Sequence, residues 1–137
     1  MMAFPDREEY ERLLYALPDQ YPDIQTSTVR LYTNSPTSCI IRGRITFRNG
    51  LELQVFEYLD CSDGDLLAYF YAIFQAEERI RWYDLQPQPH NADLAPTFPH
   101  HLHTPPDIKH NRHPAPGISF TALNLPTLIT ECLTLVP

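Results

Sequence analysis

Cys39-Ile40-Ile41-Arg42-Gly43-Arg44-Ile45-Thr46-Phe47, then Arg48-Asn49-Gly50, then Leu51-Glu52-Leu53-Gln54-Val55-Phe56-Glu57-Tyr58-Leu59 is the stretch that decides the fold. In the first arm Cys39, Ile41, Gly43, Ile45 and Phe47 share one face, with Arg42, Arg44, Thr46 and Arg48 near or on the other. In the second arm Leu51, Leu53 and Val55 share a face. This alternation marks half-buried strands, because successive side chains point to opposite sides of a sheet. The connection decides how the arms pair. A two-residue Asn49-Gly50 turn would set Phe47 against Glu52 and Leu53 against Thr46, core against solvent. A three-residue loop, Arg48-Asn49-Gly50, sets Phe47 against Leu51 and Ile45 against Leu53. Only the odd loop keeps both apolar faces together. The sequence therefore predicts a hairpin with Gly50 in the left-handed conformation that a bulge-type loop requires.

Outward from this hairpin, residues 5–17 predict a helix. It starts at Pro5-Asp6 with acidic residues in the first turn, where they suit the helix dipole. Tyr10, Leu13, Leu14 and Leu17 form its apolar stripe, and Pro18 and Pro22 end it. Ile24 to Asn34 is rich in β-branched and aromatic residues and predicts a strand, closed by Ser35-Pro36. Beyond the hairpin, Asp60 to Asp65 is a turn cluster and Leu66 to Gln75 predicts a long strand. Here Phe70 and Phe74 are assigned to the core, which leaves Tyr69 and Tyr71 either for an opposite, functional face or as ordinary strand tyrosines. Arg79 to Tyr83 predicts a further strand. Near the end, Asn124 suits an N-cap, Pro126 the first turn, and Leu125, Leu128, Ile129, Cys132 and Leu133 a helical stripe. The expected class is α+β, one domain over residues 1–137. It is an antiparallel sheet of about five hairpin-linked strands, with N-terminal and C-terminal helices and a long Pro/His-rich loop.

That loop, residues 87–117, holds all six histidines and eight of the fourteen prolines. Each proline fixes φ and removes a donor, which argues against helix or sheet interior. Loops of this length in a small protein are functional or disordered. Asp93 and Asp107 offset Lys109 and Arg112, so protonated histidines would turn the loop cationic.

The chain of 137 residues has a net charge of −7 with neutral histidines, which counts against a protein that coats nucleic acid through phosphate contacts alone. A small or locally held phosphodiester remains open. No apolar run reaches the roughly 18 residues a membrane helix needs, and no signal pattern opens the chain. Cys39, Cys61 and Cys132 are read as three separate thiols of a reducing cytoplasm.

Histidine is the side chain that most readily exchanges protons near neutral pH. Several beside Tyr, Lys and Arg point to metal-free cleavage of an RNA-type phosphodiester. One imidazole would take the ribose 2′-OH proton and a second would protonate the leaving 5′ oxygen. His100, His101 and His103 are the first candidates, with His90 next and Tyr71 orienting. Arg81, Lys109, Arg112 and Tyr69 would hold substrate and neutralise its charge. The competing reading gives His100, His101 and His103 a metal ion, completed by Asp84, Asp93 or Asp107. A third reading makes the histidines loop-packing residues. The Arg42/Arg44/Arg48 face is either a solvated surface or part of a phosphate-holding face continuous with the loop.

The chain resembles the TumE-like toxins of type II toxin–antitoxin modules. The pattern runs from Arg42 to Leu59 (RxxITFxxGxxLxVxEYL), through Tyr69 to Gln75, then Arg81, Trp82, Asp84, Pro89 and His90, to the Phe98-Pro99-His100-His101-Leu102-His103 box. Leu102 stands where that box usually has Lys, and the segment from Asp84 to His90 is longer than the family pattern. Lys109 or Arg112 would then have to supply the missing charge. The resemblance implies an RNA-directed toxin restrained by a cognate antitoxin. A looser likeness to CRISPR-associated ring nucleases implies cyclic oligoadenylate, which the acidic net charge suits better than long RNA. The resulting expectation is a cytoplasmic, homodimeric, cofactor-free phosphodiesterase acting on RNA or a cyclic oligoribonucleotide. The alternative from another class is a non-catalytic partner-binding component of a toxin–antitoxin module.

Overall fold

The computed structural model describes residues 3–85, 100–103, 112–114 and 118–135; at 85, 100–103 and 112–114 the description is of the backbone. Helix α1 (Arg7–Gln20) is followed by strands β1 (Ile24–Ser27), β2 (Arg30–Thr33), β3 (Ser38–Phe47), β4 (Leu51–Asp60), β5 (Asp65–Gln75) and β6 (Glu78–Leu85). Two short strands follow, β7 (His100–His103) and β8 (Arg112–Pro114), and then helix α2 (Leu125–Thr134). The strands form one sheet in the order β1-β3-β4-β5-β6-β7-β8, with β2 also on β3, and every pairing is antiparallel. The α+β class with a helix at each end holds.

The deciding hairpin folds as its alternation requires. Ile45 pairs with Leu53, the Gly50 N–H bonds to Phe47 O at 3.0 Å, and Gly50 has φ +94°. Asn49 Oδ1 accepts from Leu51 N, and the Asn49 amide reaches Cys132 O, which ties the turn to α2.

Asp6 caps α1 by accepting from Glu9 N at 2.8 Å, and Tyr10, Leu14 and Leu17 are buried. The helix, expected to end before Pro18, runs through it to Gln20. A proline in the last turn forfeits one backbone bond, and Tyr21 N bonding to Leu17 O closes the turn regardless. In α2 the buried stripe is Leu125, Leu128, Ile129 and Cys132. Asn124 sits at the N-cap position, but its side chain serves the preceding turn: Oδ1 accepts from Ser119 N and Nδ2 donates to Ser119 O, each at 2.9 Å.

The strand expected over 24–34 is an edge strand in two pieces, and Gly43 explains the break. Thr28 N bonds to Arg44 O at 2.8 Å, which pulls the Thr28-Val29 backbone over Gly43. Gly43 has φ +145°, and a Cβ there would lie 2.4 Å from Thr28 O and 2.6 Å from the Val29 Cα. Two further irregularities follow from the register. Leu67 is extra between Leu59↔Leu66 and Tyr58↔Ala68, and Ile80 is extra between Phe74↔Arg79 and Ile73↔Arg81. The loop expected over 87–117 contributes β7 and β8, so the sheet exceeds the expected five strands. The proline-free run His100–His103 is the part that can join a ladder from both sides.

Both helices contribute to one core cluster with the sheet residues Ile41, Ile45, Leu53, Val55, Tyr71 and Ile73. Tyr69 and Tyr71 are 4% and 0% exposed, whereas Phe70 and Phe74 on the other face are half-buried. The face assignment from sequence is therefore reversed, because the tyrosine row faces the helices, where the Tyr71 hydroxyl finds Glu57 and Asn124. Cys39 and Cys61 are joined, with Cα atoms 6.4 Å apart, and Cys132 is the buried free thiol. This corrects the expectation of three separate thiols. Cys61 follows the end of β4, and its N–H bonds to Thr37 O, which carries it back beside the start of β3.

Gly43→Ala is expected to lower stability by about 3 kcal/mol, since it adds both a backbone clash and strain at positive φ. Urea unfolding of the variant against the parent measures this; a loss below about 0.5 kcal/mol would contradict the close crossing.

Candidate functional site

The register of the sheet builds the site. On the face away from the helices, one row of directly paired residues runs Arg42, Phe56, Phe70, Asp84, His101, Pro114. The neighbouring row runs Arg44, Gln54, Ala72, Trp82, His103, Arg112. Thus His101, His103 and Arg112, three residues singled out from sequence, occupy adjoining positions at one end of these rows. His100 pairs with Leu85, in register with the alternate set of positions. His90 and Lys109 lie outside the described residues.

Aromatic and cationic groups interleave along the open face. The Arg42 guanidinium lies 4.8 Å from the Tyr32 ring centre, Arg44 lies 6.0 Å from Phe74, and Arg79 lies 3.7 Å from Trp82. Phe70 and Trp82 are in ring contact at 6.3 Å. The Ile80 bulge makes the Arg79–Trp82 stack: residues three apart in a regular strand face opposite ways, and one extra residue restores them to the same side. Arg44 also pairs with Glu52 at 3.2 Å. Sequence reasoning missed Tyr32, Phe56 and Trp82 as members of this face. The signal was available in the arginines that alternate with the core of β3.

The other face holds the remaining expected site residues. Tyr71 donates to Glu57 Oε2 and Tyr10 donates to Glu57 Oε1, while Asn124 Nδ2 donates to Tyr71 Oη at 3.3 Å. Glu57 is 0% exposed, and burial lifts its pKa to about 7, partly opposed by the two tyrosine hydrogen bonds. Burial, then the charge of Glu57, pushes the Tyr71 hydroxyl far above the usual tyrosine range. Arg81, expected to meet substrate, instead pairs with Glu131 of α2, which also accepts from the Tyr83 hydroxyl. Tyr71 and Arg81 are therefore engaged on the helix side of the sheet, with Glu57 and Glu131. Among the described residues no group of three or more His, Cys, Asp or Glu side chains is placed to hold a metal ion.

The model of the family described as Toxin TumE matches residues 12–135. The chain belongs to the TumE toxin family. Neither a curated protein nor a solved structure gives a match. A TumE-family chain is a toxin of a toxin–antitoxin module, and a cognate antitoxin is the partner such a module implies. Among the described residues no helix is long and apolar enough to cross a membrane.

The buried carboxyl makes this TumE-family fold pH-dependent in a calculable direction. Below pH 4.5 folded and unfolded chains both carry the proton on Glu57. Between 4.5 and about 7 the unfolded chain ionises while the folded one keeps its proton, so this group's contribution falls as pH rises. The shift corresponds to about 3 kcal/mol across that window. Urea midpoints from pH 4.5 to 7.5 are expected to fall less steeply in Glu57→Gln than in the parent. Identical pH dependence in the two proteins would rule out the buried, proton-holding carboxyl.

Proposed function

We propose that this toxin is a metal-independent ribonuclease that cleaves by attack of the ribose 2′-OH. One of His101 and His103 takes the 2′-OH proton as the oxygen attacks phosphorus. The other gives a proton to the departing 5′ oxygen, leaving a 2′,3′-cyclic phosphate and a free 5′-OH. Arg112, with Lys109, offsets the charge that builds on the phosphoryl oxygens, and His100 and His90 are reserve ligands for phosphate. The observation that carries this reading is the register that sets His101 beside Asp84 and His103 between Trp82 and Arg112. A carboxylate next to a histidine can orient it and stabilise its protonated form, as acid–base chemistry requires.

Membership in the TumE toxin family supports a toxic activity, and RNA is the target class proposed for it. The arginines and aromatic rings of the open face support a single-stranded ligand over a duplex. A cyclic oligoadenylate has the same reacting bond and serves as the comparison substrate. A homodimer would be consistent with two such faces acting on one long RNA.

The test is cleavage of labelled linear RNA and of cyclic oligoadenylate, each in EDTA. Linear products with 2′,3′-cyclic phosphate ends are expected, and His101→Ala or His103→Ala should each lower kcat by about 100-fold or more. Activity abolished by chelator and restored by zinc would replace the proton-transfer mechanism with a histidine-held metal. Absence of cleavage of either substrate would leave a non-catalytic partner-binding component.

A further inference from the structure

At the far end of the open face from the histidines lies a hollow of about 400 Å³, lined by Tyr32, Arg42, Arg44, Gln54 and Phe56, with Gly43 and Thr28 beneath. Its size is within the roughly 300–1,000 Å³ of small-ligand clefts. Two of its walls are aromatic residues left in water, Tyr32 at 46% and Phe56 at 36% exposed. A solvated aromatic patch calls for an explanation more than a lone surface leucine does. Gly43 makes room there for the Thr28–Val29 backbone, since a Cβ would collide with it, and that close crossing forms one side of the hollow.

We propose that this hollow is a base-stacking subsite for single-stranded RNA, separate from the cleavage positions and feeding them. The proposal deepens the ribonuclease reading and rests on it for the identity of the ligand as RNA. Arg42 is already stacked on the Tyr32 ring, which leaves a planar guanidinium surface on which a base can lie. The Gln54 amide offers a donor and an acceptor suited to a base edge. Arg42 and Arg44 supply charge for the flanking phosphates, with Glu52 holding Arg44 in place at 3.2 Å. An uncharged peptide would use the apolar walls of Tyr32, Val55 and Phe56 but bring no anion to Arg42 and Arg44, so the chemistry favours a nucleotide. The hollow and the cleavage end are in register. Arg42 and His101 share one row, four strand spacings or about 19 Å apart. A strand stacked at about 3.4 Å per nucleotide spans that distance in five or six residues, and an extended strand in fewer.

The experiment is fluorescence anisotropy with a labelled 2′-O-methyl RNA dodecamer, which binds but offers no 2′-OH for cleavage. Tyr32→Ala and Arg42→Gln are each expected to weaken binding by about 5- to 150-fold, the range that loss of one stacked base gives. Arg42→Gln should also flatten the salt dependence by about 0.7 in log–log slope. Arg12→Ala on α1, an exposed residue paired with Glu8, is the control expected to bind as the parent does. Both test positions are exposed, and unchanged thermal melting would confirm folded variants. Parent-like RNA affinity in both variants overturns the subsite. So does loss of antitoxin co-purification with RNA binding intact, which would make the face a protein-docking surface. Binding that the variants weaken, with no cleavage of the matching 2′-OH RNA, sustains the subsite and sinks the ribonuclease reading. A parent protein that binds no RNA sinks both.

Discussion

A single carboxyl group, Glu57 of β4, draws α1 and the residue before α2 to the same face of the sheet. It is buried on the helix-facing side of the sheet, where an ion without partners would cost several kcal/mol. Its partners come from both ends of the chain: Tyr10 from α1, Tyr71 from β5, and Asn124, through Tyr71, from the residue that precedes α2. Satisfying Glu57 therefore requires α1 on this face, and the Asn124 contact to Tyr71 brings the start of α2 to the same side. The consequence for function is topological: among the described residues neither helix lies on the opposite face, and the arginine and aromatic rows are laid out there.

The net charge of −7 describes the whole molecule and says little about that face. Acidic side chains gather at α1 and in the Asp60–Asp65 turn, while Arg42, Arg44 and Arg79 sit on or beside the aromatic rows. Such segregation lets an acidic protein present a locally attractive surface to a polyanion, at a strength that depends on salt. Arginine suits this arrangement better than lysine, because its flat guanidinium covers an aromatic ring and still presents its edge to phosphate.

The hairpin, its three-residue loop and both apolar helix stripes were legible because each rests on local periodicity and turn chemistry. The choice of core face on β5 was not. Phe70/Phe74 and Tyr69/Tyr71 are aromatic on both sides, and only hydroxyl partners from distant elements separate them. Glu57 was legible in principle, since it falls in phase with Leu51, Leu53, Val55 and Leu59 on a strand whose other face already holds Glu52 and Gln54. A carboxylate in the apolar phase signals a buried network. Arg81 looked like a phosphate ligand because its charge is visible in the sequence and its partner Glu131, fifty residues on, is not. The histidine strand was hidden by the prolines around it, although His100–His103 itself contains none.

The ion pair of Arg81 with Glu131, joined by Tyr83, ties the last long strand directly to the final helix. Arg81 and Glu131 stand fifty residues apart, and their contact closes at its two ends a span that includes β7 and β8. Loop-closure entropy rises only as the logarithm of length, about 0.6 kcal/mol for each doubling. Lengthening the chain between the two ends of this clasp therefore costs little beside the contacts that hold it shut.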